Sequence, residues 1–511
     1  MEFEFPSTLV VLSFLVPMFM VVNLLRRKST TSYSHLNLIP GPRKLPLIGN
    51  LLLLVGKSNL PLVFRDLAVK YGPLMHLQLG EIPILIVSSV EVANQILKTH
   101  DVTFANRPPL VAARVMAYNY TDVVFAPHGE YWRHLRKICT LELLSVRRVK
   151  SFRPIREEEF LNLAKGIASN EGSPANLSER VYLSSFTLTT KASIGKETKE
   201  QGTAISTLRE AVELASGFSI ADLYPSIKLL PLISGIKFKL ERIFWQADRI
   251  LGRIINEHRV AKANKTDDAM ETSEDLAEVL LKYQEDEGTE VPLTTDNIKA
   301  VLLDMFLAGG ETSATLVDWA MSEMVKNPTT LKRAQEEVRQ VFDGKGYVDE
   351  AEFHELIYLK SVIKETLRLH PPLPLLVPRL SSERCEINGY EIPAKTRVII
   401  NAWALGRDPK HWNDADKFVP ERFMDSSIDY KGNNLEYIPF GAGRRMCPGM
   451  SFGLANVEFT LAMLLYHFDW EMPNGIKNEE LDMTEAFGMS VKRKHDLLLI
   501  PTVMRPLQQV K

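Results

Sequence analysis

The residues best placed to do chemistry lie in one loop, Phe440-Gly441-Ala442-Gly443-Arg444-Arg445-Met446-Cys447-Pro448-Gly449. One cysteine stands there among glycines, with two arginines just before it. Glycines at 441, 443 and 449 allow turns closed to other residues and a close approach to a bulky group. Such a loop can aim backbone N–H groups at one sulfur. With Arg444 and Arg445 beside it, the thiolate is expected over the thiol. A thiolate is a soft ligand suited to iron or zinc. No second Cys or His stands at finger-like spacing, which disfavours zinc. A single thiolate without local companions points to the axial ligand of a heme iron. The bland alternative is an inert buried cysteine.

A second constellation is Ala308-Gly309-Gly310-Glu311-Thr312-Ser313, in the middle of an apolar stretch. Good helix-start residues precede it at Pro292-Leu293-Thr294-Thr295-Asp296, and Asn327-Pro328 ends the run at Val325. The spacing predicts one helix of about 32 residues, near 48 Å. Two adjacent glycines inside a helix cost about 1 kcal/mol each relative to Ala. A small-residue window can let the helix lie on a flat cofactor, with local opening at Glu311 and Thr312. A carboxylate beside a hydroxyl can pass protons but cannot supply electrons. A plain helix crossing explains the glycines but not the Glu-Thr pair.

Together these stretches resemble the cytochrome P-450 monooxygenases. The cysteine loop matches the heme signature Phe-x-x-Gly-x-Arg-x-Cys-x-Gly, and the long-helix stretch matches the oxygen-activation motif. Glu365-Thr366-Leu367-Arg368 and Pro420-Glu421-Arg422-Phe423 fall between them in the family's order. The resemblance is finest to the plant microsomal branch acting on specialised metabolites. It implies a mainly α fold with small β-sheets and a heme b held by Cys447, with Phe440, Gly441 and Arg445 in the heme-binding loop. Thr312 would hydrogen-bond dioxygen and Glu311 would relay protons. Glu365, Arg368 and Arg422 would form a buried structural network. Arg379 would reach a heme propionate. Trp132 and Arg136, four apart on one helix face, resemble the family's Trp-x-x-x-Arg and would do the same. The candidate pocket wall is Met116, Val124, Phe306, Ala308, Leu376, Val377 and Phe487, nearly all apolar. Electrons would come from NADPH through a cytochrome P-450 reductase, with cytochrome b5 as a further partner.

These elements need a large body. The chain has 511 residues, 45% hydrophobic and 24% charged, with net charge -2. That balance gives ample core and argues against nucleic acid as the main partner. Three cysteines, Cys139, Cys385 and Cys447, make no disulfide framework. Phe5 to Leu25 carries no charge and spans about 31 Å as a helix, enough to cross a bilayer. Glu2 and Glu4 precede it and Arg26-Arg27-Lys28 follow, opposite to a cleaved signal and placing the body in the cytosol. The expected organisation is an anchor over 1–28, a proline-rich hinge over 29–55 and one catalytic domain over 56–511, single-pass in the endoplasmic reticulum membrane. Three sequons, at Asn119, Asn176 and Asn264, are chance matches on a cytosolic body.

Leu74 to Val87 predicts a two-stranded hairpin, Val90 to Thr99 and Gly129 to Leu144 helices, and Leu375 to Arg379 an extended segment. Met450 to Leu465 predicts an amphipathic helix whose N-terminus favours an anionic sulfur. Arg133, Lys137, Arg147, Arg148 and Lys150 form either a solvated face or a docking patch for an acidic redox partner. Phe218 to Ile233 reads as access channel, membrane-dipping segment or ordinary core. The expected reaction is hydroxylation of a hydrophobic plant metabolite, terpenoids first, then alkaloids or flavonoids. Two other classes fit the heme-thiolate pattern: an isomerase or dehydratase needing no reductase, and a non-catalytic heme-binding membrane protein.

Overall fold

In the computed structural model the described residues are 36–507, less 37, 58, 197–200, 216–218, 265–273, 287, 289–290, 487 and 489. The expected anchor over 1–28 and Phe487 lie outside them. The fold is mainly helical with small sheets, as the sequence predicts.

The largest sheet begins with the predicted hairpin. Strands β1 (Leu74–Leu79) and β2 (Ile82–Val87) pair antiparallel, from Leu74 opposite Val87 to Leu79 opposite Ile82. A two-residue turn at Gly80 and Glu81 joins them, and Gly80 takes φ +60°. β2 pairs in parallel with Arg397–Ile400, which in turn pairs antiparallel with Arg379–Leu380. Both faces of β2 are covered, which fits its Ile84-Leu85-Ile86-Val87 run. The end of the proline-rich stretch docks on this sheet: His76 N–H donates to the Pro40 carbonyl and Gln78 N–H to Asn50 Oδ1. A Cβ at Gly41 would fall 2.1 Å from the His76 carbonyl oxygen, so residues 40–50 are clamped to β1.

The helices that matter for the site are α1 (Val111–Met116), α2 (Glu130–Ile138), α3 (Leu177–Ile194), α4 (Thr295–Lys326), α5 (Ile357–Leu369) and α6 (Met450–His467). α4 has the predicted length of 32 residues and starts with a capping box between Thr294 and Asn297. It runs through the core, where Trp319 is fully buried and donates its indole N–H to the Val491 carbonyl. It is apolar and long enough to cross a membrane, but 67% of its apolar window is buried inside the protein. α6 has no exposed residue, so it is a buried helix and not the amphipathic one expected.

The adjacent glycines of α4 serve a helix crossing. A Cβ on Gly310 would come 2.8 Å from Phe186 Cδ2, and one on Gly309 3.0 Å from Thr189 Cγ2, both on α3. The helix continues unbroken through Glu311 and Thr312, without the expected local opening. The segment Leu375 to Arg379 is also not extended throughout. Leu376 N–H closes a turn on the Leu373 carbonyl, and Leu376 takes φ +52°.

Candidate heme-thiolate site

The cysteine loop is pinned at both ends. Cys447 N–H donates to the Phe440 carbonyl at 2.9 Å, and Phe440 packs edge-on against Tyr430. Gly441 and Gly443 take φ +72° and +69°. At Gly443 a Cβ would also strike Asp101 Oδ1 and the Leu97 carbonyl, both at 2.5 Å, so only glycine fits. Cys447 keeps accessible surface although enough protein surrounds it to desolvate its thiol, so that surface lies in a recess.

The thiol itself differs from expectation. Burial raises its pKa, and the Gly449 N–H and the Arg136 charge only partly oppose this. Arg444 is exposed and turns to Asp101. Arg445 turns to carbonyls. The protein alone therefore favours the thiol; a metal ion at the sulfur would be needed to displace the proton.

Four guanidiniums converge behind this loop. Arg379 donates to the Ala442 carbonyl at 2.7 Å and to Asp101 at 3.2 Å. Arg136 donates to the Met446 carbonyl. Arg445 donates to the carbonyls of Ala105 and Ala126 and lies 4.0 Å above the Trp132 ring. Arg107 donates to the carbonyls of Val124, Val377 and Pro378. Sequence reading missed Arg107; its neighbour Pro108 and its place before the wall loop gave no distinguishing signal. Burial lowers the pKa of all four, Arg445 to about 9. Mutual repulsion adds to this, with Arg379 and Arg445 acting on Arg107, and Arg379 and Arg136 on Arg445. Trp132 donates its indole N–H to the Val123 carbonyl, not outward as expected, and serves as a platform under Arg445.

On α4, Thr312 Oγ1 donates to the Ala308 carbonyl at 2.7 Å, so its lone pairs stay available. Ala308 is exposed although most of α4 is buried. Glu311 is buried and accepts from Ser490 Oγ at 2.8 Å, a partner on the segment that follows Phe487. Below the loop, Arg368 donates twice to Glu365, at 2.8 and 2.7 Å, and Arg422 Nε donates to Glu365 at 3.0 Å. Of the candidate wall residues, Met116 and Phe306 are buried in the main core. Val124 and Val377 are half-buried and give their carbonyls to Arg107. Leu376 Cδ1 faces Gly441, 4.0 Å from where its Cβ would stand. Arg133, Lys137, Arg147 and Lys150 are exposed, whereas Arg148 is spent on the carbonyls of Glu142 and Glu274.

A soft sulfur ligand facing a recess, beside a surplus of buried cations, fits a metal-bearing planar group with acidic arms. Comparison with known proteins agrees: the cytochrome P-450 family model matches residues 39–499, and the chain belongs to that family. It is therefore a heme-dependent oxidoreductase of the monooxygenase class. Salviol synthase from Salvia pomifera is 51% identical over 508 residues, 99% of each chain. Premnaspirodiene oxygenase from Hyoscyamus muticus is 51% identical over 488 residues, 95% of this chain and 97% of the relative. A solved zebra fish cytochrome P-450 with progesterone superposes with TM-score 0.75 at 22% identity, over 87% of this chain and 100% of that one.

Proposed function

We propose that the protein hydroxylates a hydrophobic plant specialised metabolite, a terpenoid first, using O2 and electrons passed from NADPH by a cytochrome P-450 reductase. The observation that carries the reading is the accessible Cys447 thiol beside four buried guanidiniums that outnumber the acids answering them. Cys447 would hold the heme iron, and Arg107, Arg136, Arg379 and Arg445 would meet the two propionates. When bound, the heme supplies the activation of dioxygen and the insertion of oxygen into a C–H bond.

The chain's own residues do the rest. Glu311, held by Ser490, takes protons from the solvent side and hands them toward Thr312. Thr312 Oγ1, whose hydrogen is engaged by Ala308, accepts a hydrogen bond from the proton donor next to it. Val124, Phe306, Ala308, Leu376 and Val377 give an apolar wall that orients substrate by shape and excludes water. One relative is named for oxygenating premnaspirodiene, a diene, which suits such a wall.

Residues 1–28 anchor the chain in the endoplasmic reticulum membrane, with 29–55 as hinge and 56–511 as cytosolic catalytic domain. Leu52, Val55, Leu229, Leu232, Ile233, Phe238 and Trp245 support this, since all are exposed. They flank a cluster that also takes in Leu51, Leu54, Leu230 and Ile236, a surface suited to rest on lipid. Arg133, Lys137, Arg147 and Lys150 serve as the docking patch for the reductase, and cytochrome b5 for the same face.

The test is co-expression with a plant reductase in microsomes, fed pooled mono-, sesqui- and diterpenoids. An NADPH-dependent product one oxygen heavier is expected. Product without NADPH would replace the monooxygenase reading with a reductase-independent isomerase or dehydratase. NADPH-dependent products from alkaloids or phenolics alone would overturn the terpenoid assignment.

A further inference from the structure

Two carboxyls, those of buried Asp122 and half-buried Asp304, stand within hydrogen-bonding reach of each other at the base of the wall loop. Asp304 lies on α4, four residues before Ala308 and eight before Thr312, hence on the same helix face. Its Oδ2 accepts the Val123 N–H at 2.9 Å. Asp122 is buried, and its Oδ1 accepts the Phe125 N–H at 2.9 Å. The N–H side of residues 123–125 is thus held by these two acids. The carbonyl side faces the other way: Val123 accepts from Trp132 and Arg445, and Val124 from Arg107 and Arg445. Ala126, one residue on, accepts from Arg445 as well.

Two ionised carboxylates in contact inside a protein repel strongly. We propose that Asp122 and Asp304 share one proton, carried on Asp304 and donated to Asp122, and act as one positioning pair. It fixes the 123–126 peptides on α4 and thereby aims Arg107 and Arg445 at the anionic ligand. Burial and the Asp122 charge raise Asp304 well above the usual carboxyl range, while Asp122 is raised only to about 6. The other groups facing the pair are the Arg445 and Arg107 cations and the Tyr131 and Cys139 side chains from the α2 region. Tyr131 and Cys139 stay neutral, since burial raises both, and so add no charge to the pair. The pair keeps one negative charge, which Arg445 meets.

The infrared arm of the test needs no heme, whereas the heme-affinity arm rests on the heme reading above. Full-length wild type and Asp304→Asn would be compared by infrared difference spectroscopy at neutral pH, in H2O and D2O. A protonated carboxyl C=O band, shifted in D2O and lost in Asp304→Asn, is expected. Its absence from wild type overturns the shared proton. Heme affinity separates charge from shape, because an amide donates and accepts as the protonated acid does. Asp304→Ala, which strands the Val123 N–H, should weaken heme binding about tenfold, and Asp304→Asn should recover to within about twofold of wild type. Equal weakening in both variants overturns the pairing, since it would mean that a carboxylate charge is needed. If Asp304→Ala fails to fold, the Asp304→Asn affinity and the infrared band still decide.

Discussion

Around Glu365, two guanidiniums are met by a carboxylate and by carbonyls; around Cys447, four guanidiniums are met mainly by carbonyls. Arg368 donates to both Glu365 oxygens and to the carbonyls of Gly406, Ala415 and Lys417. Arg422 and the Val419 N–H complete the Glu365 shell. That network is closed by groups of the chain itself. At the other site the acidic partners are Asp101 and the Asp122–Asp304 pair, against Arg107, Arg136, Arg379 and Arg445. Internally closed charge builds structure, whereas surplus buried charge is a binding site. The two arginine groups look alike in composition and differ only in what answers them.

The difference can be attacked from both sides. The largest effect is expected at Glu365. Glu365→Ala strands Arg368, which is fully buried, and should destabilise the protein by about 3–5 kcal/mol with or without heme, read by chemical denaturation. A loss appearing only in the heme-bound form would erase the distinction. Next comes Glu458 on α6, a half-buried carboxyl raised to about 7 by loss of solvent, which the Lys360 charge only partly opposes. The folded state then holds its proton more tightly than the unfolded chain does. Stability is present below the unfolded pKa near 4.5 and falls as pH rises through 7. Glu458→Gln should remove that fall, gaining about 3 kcal/mol above pH 8 and almost nothing below pH 4. The smallest folding effect is expected at Arg107. Arg107→Gln should change stability of the heme-free protein by under about 1 kcal/mol, because relief of repulsion offsets lost hydrogen bonds. Its heme should nevertheless dissociate faster. A large loss without heme would place Arg107 with the structural group.

The parts readable from sequence are those written in local chemistry. The limits of α4 follow from Thr294, Asn297 and Pro328, and the hairpin from a turn at Gly80 between apolar runs. The cysteine loop is legible because five spaced residue types must coincide. What escaped depends on contacts distant in sequence. The reason for Gly309 and Gly310 lies on α3, at Thr189 and Phe186. The role of Arg107 emerges only when Val377 and Pro378 are folded beside it. The Cys447 proton balance turns on burial, which outweighs the nearby N–H groups and charges. Helix spacing pairs Trp132 with Arg136, but only the fold shows that one bears Arg445 while the other holds the Met446 carbonyl.

The most direct measurement is the carbon monoxide difference spectrum of the reduced full-length protein in microsomes, wild type against Cys447→Ala, with NADPH turnover followed in parallel. The account predicts a thiolate-heme spectrum in wild type, and its complete loss, together with all oxygenated product, in the variant. A thiolate-type spectrum or NADPH-dependent product retained by Cys447→Ala would contradict it.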